Sequence, residues 1–572
     1  MLWGGILLEF KNIENVKAEE SKLKNLTTAL SLVRLILAIL ALVFLIIGFS
    51  YEFKIYGSIG LAIIAIFIAY SFLTNKYYKN LELVKNKLIT YESHDKRRKG
   101  LYHTFKDSGK DLLNKEDYKE SDLDLFGNHS LYQYLSISKT KYGRNMLKSA
   151  LTEGSTIDYS SLCYKLADNE GSIDLESSIS NFEGAKNIDY DALYESLGTK
   201  IKLTLGMILP LLSFIAMLVF IPFIFINNLN PWFLVLFIAL NIVLCKLFLV
   251  NPIFLLNSDS YYTLLEKYLI VREQVNNTNI DDDLYNDIKK SLNDNYSSIK
   301  NTMGILNLLA YRKNVIFNII ANGLFSFDFF IILIYNFKTK KQTGLREFFE
   351  AVGKLEVSLS LANIGIDNNV YCKGEKNDTI NAVDMYHPLV KNCISNSIDM
   401  NGGIILTGSN MSGKTTFMRT LGICQTLYNA KGLIPAYTFS STDLNIYTSL
   451  RANDMLSEGI STFYAEILRM KDINNAIKEK KNLILVDEIF KGTNASERID
   501  ASFKVIDKLN SYNQFFIIST HDFELCNANN ITNYHFNETY IDDKISFDYK
   551  IKMGKSETKN AIYLLKMANI IE

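Results

Sequence analysis

The sequence predicts an α/β domain on a parallel sheet at its C-terminal end, preceded by an all-α region that apolar helical hairpins interrupt. Three observations predict it. A glycine-rich loop at 408–415 sits between a short β-type run and a helical stretch. Two more apolar strand patterns follow, at 482–488 and 515–522, each ending in acidic or histidine residues. Upstream, four long apolar runs occur as two close pairs, 32–49 with 55–73 and 203–226 with 231–250.

Composition bounds the rest. A chain of 572 residues is long enough for several domains. Lys+Arg and Asp+Glu are both 61, so the net charge is zero and no global positive field draws the chain to nucleic acid. Any such contact needs a local basic patch. The six cysteines, at 163, 245, 372, 393, 424 and 526, form neither a C-x-x-C pair nor a Cys/His cluster. They read as reduced thiols, not as a disulfide scaffold or a zinc site.

Taken in order, Leu32–Phe49 is nearly all apolar, with Arg34 alone charged, and Ile55–Leu73 follows after Ser50-Tyr51-Glu52-Phe53-Lys54. Leu203–Ile226 and Pro231–Val250 are separated only by Asn227-Asn228-Leu229-Asn230. Soluble core helices rarely stay apolar all round over such lengths, so both pairs read as transmembrane hairpins. Lys17, Lys22, Lys24, Lys76, Lys79, Lys85, Lys87, Lys200 and Lys202 flank their inner ends. The positive-inside rule then places both links outside. A multi-pass protein of the cytoplasmic membrane is expected, with both termini in the cytoplasm and no cleaved secretory signal. Arg34, two residues into its run, can snorkel. A fifth run, Val315–Phe337, contains Asn318, Asn322 and Asp328. A carboxylate at mid-membrane costs roughly 2.5–3.5 kcal/mol, so this run reads as one long soluble core helix. The cluster Lys96-Arg97-Arg98-Lys99 reads as an ordinary cytoplasmic flank of the hairpin rather than a DNA or lipid contact.

The strand Gly403–Thr407 leads into Gly408-Ser409-Asn410-Met411-Ser412-Gly413-Lys414-Thr415, followed by a helical stretch from Thr416. This is G-x-x-x-x-G-K-[ST] in its required strand–loop–helix setting. The glycines let backbone N–H groups wrap phosphate, Lys414 reaches the β/γ-phosphates, and the Thr415 hydroxyl ligates Mg²⁺. Asn482–Glu488 is an apolar strand ending in Asp-Glu: Asp487 holds Mg²⁺ and Glu488 orients or deprotonates water. Phe515–Asp522 ends at His521, which can meet the γ-phosphate or the water. Three such strands with intervening helices imply a P-loop ATPase domain with a parallel, ABC-like sheet and its site at the strand C-termini.

These residues resemble the MutS mismatch-repair family. The run 408–419 has the Asn-Met insert of the family's P-loop. Asn453–Phe463 is similar to its D-x-x-x-x-G-x-S-T-F segment, 487–493 to D-E-x-x-x-G-T and 520–525 to T-H-x-x-E-L. His387-Pro388-Leu389-Val390 is similar to its lead-in. Residues 125–131, 140–147 and 350–362 resemble parts of the family's helical core. The resemblance implies a homodimer with each ATP sandwiched between subunits, and makes Ser461 the residue that touches the partner's γ-phosphate. It also places Thr416 in the phosphate loop, and Ile394, Asn396 and His535 beside the adenine. No mismatch-recognition domain is expected before residue 100, and no C-terminal dimerisation tail. Phe348-Phe349-Glu350 and Phe536-Asn537-Glu538 match a mismatch reader only in letters.

The expected division is 1–100 with the first hairpin, 101–202 as the first part of the helical core, 203–256 as the second hairpin, 257–365 as core and lever, and 366–572 as the ATPase domain. The expected function is a membrane-anchored dimeric ATPase that clamps on ATP, with DNA and an unidentified protein as candidate partners and direct mismatch reading in doubt. The alternative is an ATPase driving membrane transport or membrane-protein remodelling. Against transport, no Leu-Ser-Gly-Gly-Gln signature is present and the apolar helices lack ionisable midplane residues. Against a non-hydrolysing binding module, Lys414, Asp487 and Glu488 are all in place.

Overall fold

Two helices of unusual length begin the chain, α1 (Leu2–Ser50) and α2 (Ser58–Arg98). The structure, a computed structural model, describes residues 2–50, 53–114, 116–180, 182, 190, 201–226, 232–249, 258–311, 315–339, 344–409, 411–451, 462–490, 494–541 and 544–555. The chain divides into two compact units, one of residues 1–137, 147–177 and 358–572, the other of 138–146 and 178–357.

In the first unit α1 and α2 lie antiparallel along their apolar parts. Gly60 permits the close approach, since a Cβ there would stand 3.0 Å from Leu45. The faces turned away from the pair are apolar too: Leu35 is 57% exposed and Phe72 77%. Both helices contain stretches long and apolar enough to cross a membrane, by length and composition. Beyond Leu73, α2 continues as a polar helix.

The C-terminal end of α2 departs from the expectation of a plain basic flank. Arg97 is buried, and its Nε donates to the Tyr134 carbonyl at 2.9 Å. Arg98 donates to the Ile366 carbonyl at 3.2 Å. One turn earlier, His94 is fully enclosed between Asp367 (Nδ1–Oδ1, 2.9 Å) and Glu176 (Nε2–Oε2, 3.0 Å). His94 lies about 30 Å along α2 from Leu73. Burial alone would lower its pKa, but the two carboxylates outweigh burial and raise it to about 9. Half of the basic cluster is therefore consumed by an internal ion network.

The second unit contains α3 (Leu205–Ile226), α4 (Trp232–Phe248), α5 (Val315–Phe325) and α6 (Phe327–Thr339). α4 packs on α3 and α5, and α6 on α3. The apolar stretches Leu205–Phe220 and Val235–Phe248 are shorter than those of the first hairpin. The single helix expected over 315–337 is two helices broken at Ser326. Ser326 is left-handed (φ 49°) and its hydroxyl donates to the Pro210 carbonyl at 2.8 Å. The Asn322 side-chain oxygen accepts from the Asp328 backbone N–H at 2.9 Å. The polar residues that made the run ambiguous thus build its break, satisfying backbone groups that the interruption frees.

α7 (Leu345–Ile366) contributes Leu345–Val357 to the second unit and Ser358–Ile366 to the first. Phe348 and Phe349 are both fully buried, which removes them as readers of anything outside.

The rest of the first unit is the α/β domain. Short strands β1 (Cys372–Lys373) and β2 (Glu375–Lys376) precede β3 (Ile380–Met385), β4 (Asn396–Met400) and β5 (Gly403–Thr407). Helix α8 (Lys414–Asn429) follows, then β6 (Leu433–Ile434), β7 (Thr438–Ser441), β8 (Asn445–Ser449) and β9 (Asn482–Asp487). Helix α9 (Ala495–Ser511), β10 (Phe515–Ser519), β11 (Ile531–Ile541) and β12 (Lys544–Met553) complete the domain. The main sheet has the order β12-β11-β5-β10-β9-β8; its members from β11 to β8 are mutually parallel and β12 is antiparallel to β11. A second sheet has the order β2-β7-β3-β4, and β1 pairs with β6. β5 and β10 are buried at every position, as continuous apolar strands covered on both faces must be. Ile405, Ile484, Phe516, Ile518 and Ile506 of α9 share one core. The segment around Leu125-Phe126 packs onto this domain: a Cβ on Gly422 of α8 would meet Leu123 at 2.6 Å, and Asp124 pairs with Arg419 of α8 at 3.0 Å.

Candidate functional site

The parallel strands end on one edge, and the sequence motifs meet there. After β5 the chain turns through Gly408 (φ 144°), Met411 (φ 70°) and Gly413 (φ 108°) before entering α8. A Cβ on Gly408 would stand 2.9 Å from the Phe536 carbonyl, so glycine is required at that turn. The loop opens at the N-terminus of α8, where unpaired N–H groups favour an anion. Within it the Lys414 ammonium donates to the Gly408 and Ser409 carbonyls at 2.7 and 2.9 Å. The Ser409 and Ser412 hydroxyls are buried without a hydrogen-bond partner among the described residues. Buried donors of this kind fit a ligand rich in acceptor oxygens, as phosphate is.

Next to the loop, the Thr415 hydroxyl donates to Asp487 Oδ2 at 2.8 Å, and the Ser519 hydroxyl bonds Asp487 Oδ1. The carboxylate is thereby fixed from both sides, on β9 and between its neighbours. A hydroxyl and a carboxylate, both hard oxygen donors, suit Mg²⁺ completed by phosphate and water. Glu488 follows in left-handed backbone (φ 62°), its N–H bonded to the Ser519 carbonyl at 3.0 Å. Non-glycine residues adopt this region at a cost, and such strain collects at functional positions. His521 Nε2 lies 3.1 Å from Glu488 Oε1. One residue on, Asp522 takes a two-pronged bond from Arg498 of α9 at 2.8 and 2.7 Å, anchoring the turn that carries His521.

A cleft of about 650 Å³ joins these groups to the lead-in strands. Its lining includes Ser409, Met411, Gly413, Lys414, Thr415, Thr416, Asp487 and Glu488, together with Ile394 and Asn396. Asn410 and Ser461 lie outside the described residues. His535, expected beside the base, is not among the lining residues: it pairs with Thr407 in the sheet and its Nδ1 lies 3.0 Å from the Gly554 carbonyl. Phe536 and Tyr549 stand in the cleft instead. Tyr549 sits where β12 bulges, four residues of β12 spanning two of β11, in left-handed backbone (φ 52°). Asn396 holds the bulge: its amide donates to the Tyr549 carbonyl at 2.9 Å and accepts from Ile551 N–H at 2.8 Å. No sequence signal marks Tyr549, because in one dimension β12 is an ordinary alternating strand.

Nearby, His387 of the His-Pro lead-in is buried and its pKa falls to about 4, from desolvation and then the positive charge of Arg419. It is a neutral structural imidazole whose Nδ1 accepts from Leu389 N–H at 3.3 Å.

With this geometry in view, the chain can be compared with known proteins. Residues 404–572 match the family model described as MutS domain V. "MutS protein homolog 4" of Mus musculus is 30% identical over 243 residues, covering 39% of this chain and 25% of the mouse protein. The Homo sapiens protein of the same name is 29% identical over 245 residues, 40% of this chain and 26% of its own length. "DNA mismatch repair protein MutS" of Clostridium kluyveri is 28% identical over 255 residues, 41% and 29%. The chain thus spans a quarter to under a third of the length of these relatives.

Proposed function

On the premise that residues 404–572 are a MutS domain V, which makes the chain a MutS-type protein, we propose a membrane-anchored ATPase that closes as a homodimer on Mg²⁺-ATP. The observation that carries this reading is the meeting of Lys414, Thr415, Asp487, Glu488 and His521 on the C-terminal edge of one parallel sheet. The phosphate loop and Lys414 bind the triphosphate. Thr415 and Asp487 would hold Mg²⁺, which supplies charge neutralisation on the phosphate oxygens when bound. Glu488 accepts the proton of the attacking water, and His521, in contact with its carboxylate, keeps that carboxylate oriented. Ile394, Asn396 and Tyr549 form the base side of the cleft. Ser461 from a second subunit completes the γ-phosphate shell. The two apolar hairpins anchor the molecule in the cytoplasmic membrane, and the helical part passes dimer closure to DNA. The relatives' name supports DNA as partner, and zero net charge makes the contact local.

The decisive experiment is Glu488→Gln. It should bind ATP normally, hydrolyse it at least roughly a hundredfold more slowly, and accumulate as an ATP-dependent dimer in light scattering. Lys414→Ala should fail to bind ATP at all. Near-normal turnover in Glu488→Gln removes the proposed base, and a strictly monomeric protein at full turnover removes the composite site.

A further inference from the structure

The run 315–337 reads as soluble because a carboxylate facing lipid is costly, and the structure removes that objection. Asp328 is 1% exposed, and Asn322 and Ser326 are buried too. The outer surface is the reverse of a water-facing one. From 318 to 337 every exposed described residue is apolar: Ile319, Phe325, Phe330, Leu333, Ile334 and Phe337. These faces adjoin those of the second hairpin, since the Phe214 ring of α3 lies 6.4 Å from the rings of both Phe325 and Phe330. Backbone groups at the break are satisfied from within the unit, as lipid would demand. The Ser326 N–H bonds the Asn322 carbonyl at 3.2 Å, and the Asn241 amide of α4 donates to the Gly323 carbonyl at 3.2 Å. Two further contacts fix direction. Ser326 meets the Pro210 carbonyl, and the Asn336 amide exchanges two hydrogen bonds with the Ile201 backbone, at 2.9 and 2.8 Å. α6 therefore runs antiparallel to α3 and returns toward the end that Lys200 and Lys202 flank. Neither half could cross a bilayer alone: 11 and 13 residues rise about 16 and about 20 Å, against a hydrocarbon core of about 30 Å.

We propose that α5 and α6 form a re-entrant pair, which dips into the hydrocarbon of the cytoplasmic leaflet and turns back at Ser326. The inference rests on the membrane reading of α3 and α4. Pro210 is the sixth residue of α3, so the turn lies about 8 Å along that helix, within one leaflet. Charge agrees with a return. Arg312 and Lys313 precede α5, and Lys338, Lys340 and Lys341 follow α6, so both ends carry the basic residues of a cytoplasmic flank. The nearest carboxylates outside the pair are Asp294 and Glu347. A fifth complete crossing would instead put the phosphate loop outside, away from its ATP. Asp328 fits the same path: it lies in the first turn of α6, faces inward, and stands at a helix N-terminus that favours negative charge. Acyl chains suit the exposed faces better than a protein partner does. A protein interface has a polar rim, and no exposed polar residue interrupts the apolar ones among those described in 318–337.

The test uses the full-length protein in vesicles, with Trp3 and Trp232 replaced by phenylalanine and one tryptophan introduced at a time. Phe325→Trp and Phe330→Trp report on the pair. Leu236→Trp, on the exposed face of α4, is the lipid reference, and Lys290→Trp is the water reference. Fluorescence is quenched either by lipids brominated on the acyl chains or by aqueous iodide. Brominated lipid should quench Phe325→Trp and Phe330→Trp within about twofold of Leu236→Trp, since all three sit in hydrocarbon, and iodide should quench none of them. Iodide quenching at 325 and 330 equal to that of Lys290→Trp, with Leu236→Trp still quenched by lipid, overturns the re-entrant pair alone. Iodide quenching of Leu236→Trp as well overturns the membrane reading of the second hairpin. Quenching of 325 and 330 by neither agent places a protein on these faces and also overturns the proposal. A membrane-impermeant thiol reagent applied from outside separates a return from a crossing. It should reach cysteines introduced at neither Lys300 nor Glu347, and labelling at only one of them would mean a fifth span in place of the turn.

Discussion

Tyr549 illustrates how a single side chain can be placed by a bulge in its own strand and one residue far away in sequence. The β12 bulge turns its ring into the cleft, and Asn396 fixes the bulge from a different strand. An aromatic face opposite a base contributes on the order of 1 kcal/mol, or about fivefold. Tyr549→Ala should therefore raise the ATP dissociation constant by about fivefold while leaving kcat within twofold, measured by fluorescent-nucleotide titration and steady-state kinetics. An unchanged dissociation constant would exclude Tyr549 from the base side. The contrast with Lys414, Thr415 and Asp487 is one of locality. Lys414 and Thr415 are legible because a strand, a glycine loop and a helix N-terminus stand within a few positions of each other, and Asp487 because it closes an apolar strand in Asp-Glu. Tyr549 depends on a long-range register, and the sequence instead pointed to His535, whose side chain the sheet turns toward Gly554.

At the scale of elements, the joint at the C-terminal end of α2 holds that helix to the α/β domain's lead-in. His94 is protonated between Asp367 and Glu176, with a pKa of about 9 against an ordinary 6.5. A raised value means that the folded state holds the proton more tightly than the unfolded one. The contribution is complete below pH 6.5 and is lost as pH rises through about 9. At 1.36 kcal/mol per unit it amounts to about 3 kcal/mol. Denaturant unfolding between pH 6 and 10 should show this decline, and His94→Gln should flatten it. An equal slope in both proteins would show that other groups carry it. The joint was invisible in the sequence, where Arg97 and Arg98 look like solvated flank. Burial of a charge depends on which distant carboxylates arrive, here from positions 176 and 367. The break at Ser326 is an intermediate case. Asn322, Ser326 and Asp328 were conspicuous as polar residues in an apolar run, but only the Pro210 carbonyl, contributed by another helix, makes them a stop rather than a blemish.

For the whole molecule, the sequence conveyed three strands of the main sheet, because β5, β9 and β10 are buried apolar runs of a kind that a covered parallel sheet requires. β8, β11, β12 and the second sheet carry no such run, and the sequence does not mark them. It conveyed less about how the helical segments are shared out. Residues 101–137 and 147–177 belong with the C-terminal domain, and 138–146 with 178–357 form a unit of their own. That division follows from contacts such as Leu123 against Gly422, which have no one-dimensional signature. Topology remains the sharpest prediction at this scale. Membrane-impermeant thiol reagents applied from outside should label cysteines introduced at Ser50 and Asn228, but not at Lys87 or Lys480. Labelling at Lys480 from outside would invert the orientation and part the site from its ATP.

The polar length of α2 beyond Leu73 has a consequence for encounter. From there to Arg98 the helix runs on for about 37 Å, and the buried ion network fixes its far end to the α/β domain. Under the anchoring proposed above, a copy would work in a shallow layer a few tens of ångströms deep, next to the bilayer. On that proposal two copies meet by lateral diffusion, and their pairing follows density per unit area instead of concentration per unit volume. A modest number of molecules confined this way meets as often as a far larger number free in the cell interior, so a weak dimer contact suffices and its ATP-driven closure is left free to reverse.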